Sequence, residues 1–136
     1  AARNAGVITA DEFAVFQNAG YMGLYGGMTV DDIHRKKNLE VGQKILDYMG
    51  STELIANLFR ISQTEEKLRK DSVNSADTAT AVHYKVGSEV REAIEKIGGT
   101  MPEDLPTPEK SIAQLEKEQL QRLKQQALDG QLMLDE

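Results

Sequence analysis

Cysteine is missing from this 136-residue chain, which removes disulfides, thiolate metal sites and thiol nucleophiles from consideration. That lack suits a reducing compartment. Aromatic residues amount to only 5%, and the 3 prolines all fall in "TMPEDLPTPEK". No apolar run approaches the ~18 residues needed to span a bilayer, so no membrane partner is expected. Positive charge is also in short supply: the formal net charge is −6 and the isoelectric point about 5.0. A domain that grips nucleic acid over a broad surface carries a basic surplus, so only a local basic patch stays open. The opening "AARNAGV" has neither an initiator methionine nor a signal-peptide pattern, which makes a piece of a longer protein the expectation.

What is present points to helices. With 28% charged residues and a mean hydropathy of −0.46, the chain reads as one solvated helical domain with an appendage. In "ITADEF", Thr9 and Glu12 have capping-box spacing, and Ile8 and Phe13 occupy staple positions. This first helix is expected to run to about Ala19 and close on Gly20. The glycine-rich "YMGLYGG" then forms a loop anchored by Tyr21, Met22, Leu24 and Tyr25. Thr29 caps a short helix with Asp31 and Asp32 in its first turn and Arg35, Lys36 and Lys37 in its last, a charge order that suits the helix dipole. Asn38 is the left-handed stop.

A further short helix is expected over Glu40–Met49, then a long one capped by Ser51 with an apolar stripe of Leu54, Leu58, Ile61 and Leu68 flanked by Ile55 and Phe59. Another carries Ala76, Ala79, Val86, Val90, Ala93 and Ile97 and stops at Gly98-Gly99. The proline segment is extended, and Thr107-Pro108 opens a final polar helix. Strand signal is almost absent. The fold class is therefore all-α, a compact domain of five or six helices. Residues 1–100 make a helical core domain, and residues 101–136 a connector and C-terminal helix that docks or pairs.

Chemistry is sparse. Neither His34 nor His83 has metal-ligand neighbours at suitable spacing, and His83 lies on an apolar stripe, as a core histidine does. The glycines lack the Gly-Lys-Ser/Thr and the preceding strand of a phosphate loop. No enzyme and no cofactor are expected. Residues 29–49 do have a helix-turn-helix outline, with Arg35, Lys36, Lys37 and Lys44 as possible nucleic-acid contacts, although an ordinary helical corner explains the same pattern. Glu53, Asn57, Arg60, Thr64 and Lys67 recur at helical steps. They form either a solvated face or a protein-contact face. Ile112, Leu115, Leu120 and Leu123 make a thin stripe on the last helix, open to homo-oligomer contact.

The segments "FAVFQNAGYMGLYGG", "QKILDYMGSTELIANLFRISQTEEKL" and "GGTMPEDLPTPEKSIAQLE" resemble the C-terminal half of the bacterial DNA-damage-inducible protein D family, over about Ala5 to Glu116. Residues beyond about Lys117 resemble nothing in it. Members of that family are similar to phage antirepressor-type proteins and carry an N-terminal BRO-like domain that is not represented here. The resemblance implies a cytoplasmic role in the SOS response, antagonising RecA filaments on single-stranded DNA and restraining strand exchange, with no catalytic residues to carry over. Three readings follow: a non-enzymatic regulator that binds a protein, a DNA-binding antirepressor-like module using residues 29–49, and an oligomerisation unit.

Overall fold

The computed structural model describes residues 2–134; Ala1 and residues 135–136, the outer ends of the two expected units, lie outside the described residues. Among the described residues there are five α-helices and no strand: α1 (Ala10–Leu24), α2 (Val30–Lys36), α3 (Ser51–Lys70), α4 (Ala76–Ile97) and α5 (Ile112–Leu134). The all-α class is as expected. Short 3-10 turns lie at Arg3–Ala5, Ile45–Asp47 and Pro102–Asp104.

Local chemistry sets several boundaries where the sequence places them. Thr9 Oγ1 accepts from the Glu12 amide at 3.1 Å while the Glu12 carboxylate accepts from the Thr9 amide at 3.0 Å, closing the capping box. Thr29 and Asp32 repeat the arrangement at 3.2 and 3.0 Å for α2. Asn38 takes the left-handed conformation at φ 55°, and Gly98 ends α4 at φ 84°.

Other boundaries move. α1 does not close on Gly20 but continues through the glycine-rich stretch to Leu24, so the expected loop shrinks to the turn at Gly26-Gly27. The reason lies in α4. A Cβ on Gly23 would sit 2.3 Å from the Tyr84 carbonyl oxygen, and one on Gly87 2.7 Å from the Gly20 carbonyl oxygen. The two backbones touch, and this contact outweighs the ~1 kcal/mol that a helical glycine costs. The helix expected over residues 40–49 is also absent: Gly42 adopts φ 89°, and only the 3-10 turn at Ile45–Asp47 remains. Gly50, not Ser51, is the N-cap of α3. α5 begins at Ile112, not at Thr107-Pro108, and Ser111 Oγ accepts from the Gln114 amide at 3.0 Å.

Two apolar clusters form the core. One joins Tyr21, Leu24, Tyr25, Ile33, Ile45, Met49 and Val90; the other joins Ala5, Val7, Phe16, Leu68 and Ala79. The connector is tied down at Pro102, which is buried, and at Glu103, whose two oxygens each accept from Arg91 at 2.7 Å. α5 is otherwise exposed: from Ala113 to Gly130 only Glu118 is partly covered.

Replacing Gly23 by alanine is expected to cost ~3 kcal/mol or more, because the obstacle is backbone and cannot swing aside. Gly130→Ala, with nothing within 4 Å of the added methyl, should cost no stability. Chemical denaturation of the two variants checks the contrast.

Candidate functional site

α3 is turned opposite to its hydropathy. Glu53, Asn57, Arg60 and Thr64, the polar stripe expected at the surface, are buried together with Leu68, whereas Ile55, Leu58 and Phe59 are 65%, 51% and 53% exposed. The expected protein-contact face is therefore core, and only Lys67 of that set remains outside, paired with Asp71 at 2.7 Å.

The buried polar groups form one chain. It starts at Lys37, at the end of α2, whose ammonium lies 2.7 Å from Glu53 Oε1; the two side chains are 6% and 1% exposed. The same ammonium donates to the Tyr48 carbonyl at 3.1 Å and to Thr107 Oγ1 at 3.3 Å. The other Glu53 oxygen accepts from the Tyr25 hydroxyl. Burial, and then this bond to a carboxylate, push the Tyr25 pKa upward, so Tyr25 stays a neutral donor. Asn57 Nδ2 donates to the Tyr25 oxygen at 3.0 Å, and Asn57 Oδ1 accepts from Arg60 Nη2 at 2.9 Å.

At the far end, Arg60 Nη1 lies 2.6 Å from His83 Nε2, and His83 Nδ1 lies 2.8 Å from the Phe16 carbonyl oxygen. An arginine can only donate and a carbonyl can only accept. His83 is thus the neutral tautomer with its proton on Nδ1. Burial first, and the guanidinium second, push its pKa down to about 4. The guanidinium also lies over the Tyr21 ring at 4.6 Å from its centroid. No carboxylate pairs with Arg60 among the described residues, and its Nε has no hydrogen-bond partner.

Of the expected basic residues, Arg35, Lys36 and Lys44 are on the surface and Lys37 is not. Lys37 belongs to the core, Arg35 is held by Asp32 of its own helix at 2.6 Å, and Lys36 faces Asp104 at 3.5 Å. Lys44 is exposed on the turn after Gly42. His34 Nε2 lies 3.0 Å from the Gln43 carbonyl and fixes that turn. With no helix over residues 40–49, the helix-turn-helix outline has no second helix to place in a groove. Ile112 is half-buried, while Leu115, Leu120 and Leu123 are 45%, 53% and 54% exposed, as an unpaired stripe.

The surface residues that hydropathy missed are Ile55, Leu58 and Phe59. No local signal separated the two stripes: Leu68 falls in step with Asn57 and Thr64 but equally with Ile61, so both run into the same core leucine. No group of three or more metal-ligating side chains occurs among the described residues. The cavity beside Lys37, Glu53 and Thr107 measures about 80 Å³, room for a few waters rather than a substrate.

Breaking the buried pair on one side, as Lys37→Met or Glu53→Gln, is expected to cost ~3–5 kcal/mol, and the double variant less than the sum. Urea denaturation of the three proteins measures this. His83 binds fewer protons folded than unfolded, so its contribution is complete above about pH 6.5 and fades as the pH falls toward about 4. A depression of that size is worth up to about 3 kcal/mol. Thermal unfolding of His83→Gln should therefore lose less stability than the parent between about pH 7 and about pH 5.

A family model described as the DinD C-terminal domain matches residues 1–115. DNA damage-inducible protein D of Escherichia coli (strain K12) is 61% identical over 116 residues, which is 85% of this chain and 42% of that protein. The chain thus spans less than half the length of this relative. No solved structure matches it. The family match takes in α1 to α4 and the pinned connector and stops at the start of α5. The chain belongs to the DinD C-terminal domain family.

Proposed function

We propose that this domain is a non-enzymatic, protein-binding element of the cytoplasmic DNA-damage response that acts against RecA filaments on single-stranded DNA. Family membership and the name of the Escherichia coli relative support the damage-response role. The observation that favours a protein partner over DNA is the fate of the basic residues. Three of the four that could have formed a DNA-facing patch are held by carboxylates, one of them inside the core, on a chain of net charge −6. A surface that neutralises several phosphates needs those cations free. The buried polar chain holds the helices at fixed rotation, so the face offered to a partner is rigid.

Pull-down on bare and on RecA-coated single-stranded DNA, with this chain and with a full-length relative side by side, tests the proposal. Retention on coated but not on bare strands is expected, with slowed strand exchange. Binding to bare DNA that weakens steeply with salt and is lost on Lys36→Glu with Lys44→Glu would favour the antirepressor-like reading instead.

A further inference from the structure

On the side of α3 and α4 away from α1 lies an open groove of about 460 Å³, lined by Phe59 and Gln63 of α3 and by Val82, Val86, Val90 and Ala93 of α4, with Lys67, Lys85 and Glu89 among its lining residues. Ile97, one turn beyond Ala93, is 83% exposed, and Ile55, one turn before Phe59, extends the apolar wall. α5 has the converse shape. At 100° per residue, Ile112, Leu115, Leu120, Leu123 and Ala127 fall within one arc of the helix. Both stripes, Val82 to Ile97 and Ile112 to Ala127, run ~22 Å at 1.5 Å per residue.

We propose that the groove between α3 and α4 takes helix α5 of a second copy of this chain, giving a reciprocal dimer. The charges agree with such a partner. The groove carries both signs in Lys67, Lys85 and Glu89, and so do the flanks of α5 in Lys117, Glu118, Arg122 and Lys124; neither suits a partner of single sign. A helix this polar is marginal alone, so covering its leucines also stabilises it.

The connector decides between the chain's own α5 and a neighbour's. Glu103 is clamped by Arg91, nine residues along α4 from Val82 and so half a revolution away from the groove. Thr107 is tied to Lys37 at the end of α2, and four residues then span at most ~14 Å before α5 begins. α5 is therefore launched from the opposite side of α4, and the groove it matches is reached by a second molecule.

Light scattering over a wide concentration range, paired with site-directed cross-linking, tests this. Ala93→Glu in the groove and Leu123→Glu on α5 both alter exposed positions, so neither threatens folding, and circular dichroism verifies it. A dimer whose dissociation constant rises roughly tenfold or more with either variant is expected. Because the chain has no cysteine, Ala93→Cys and Leu123→Cys on separate molecules give a clean test, and a cross-link should form between them. A monomer at every concentration overturns the proposal. So does a dimer indifferent to Ala93→Glu, which is α5 pairing with α5, and so does an intrachain cross-link in the double-cysteine variant.

Discussion

The contact on which the rest of the fold depends is the one between Arg60 and His83, made across the empty side of Gly20. A Cβ at Gly20 would meet His83 Nε2 at 2.2 Å and Arg60 Nη1 at 2.5 Å, so the hydrogen bond exists only because α1 has no side chain there. The same absence lets α1 lie backbone to backbone against α4. Once α1 and α4 are that close, the space left between them and α3 admits flat or thin polar groups in hydrogen-bonded register. The rotation of α3 follows.

A buried polar layer stabilises little by itself. Moving Lys37, Glu53 and Arg60 out of water costs several kcal/mol per ion, and their mutual attraction does no more than offset that. What the layer contributes is discrimination. An apolar α3 face could slide or rotate among several packings of similar energy, whereas a chain of hydrogen bonds running from Lys37 through Glu53, Tyr25, Asn57 and Arg60 to His83 ties α3 to one register, with Arg60 Nε left unpaired. The apolar clusters above and below supply the burial, and the polar chain between them fixes the helices against one another.

The consequence for function is on the outside. By taking its polar stripe inward, α3 leaves Ile55, Leu58 and Phe59 to solvent, beside the valines of α4. Lys37, which could have faced a phosphate, is used to join α2, α3 and the connector instead. This exchange of residues between surface and core puts apolar side chains outside and removes one cation from the surface.

The sequence by itself determined whatever depends on neighbours within a turn or two. The all-α class, the capping box at Thr9, the cap at Thr29, the stops at Asn38 and Gly98 and the sparse, exposed stripe on α5 rest on i to i+3 or i+4 chemistry, and each is found where the residues put it. His83 as a core histidine was legible for the same reason, from its place on a stripe. Tertiary structure decided the remainder. Whether Gly20 ends a helix or makes room within one depends on α4, more than sixty residues away in sequence. Whether Asn57 and Arg60 face water or the core depends on what α1 and α4 leave open between them. Hydropathy ranks side chains by their cost of leaving water alone, and Glu53, Asn57 and Arg60 do not leave it alone: Lys37, Tyr25 and His83 meet them there.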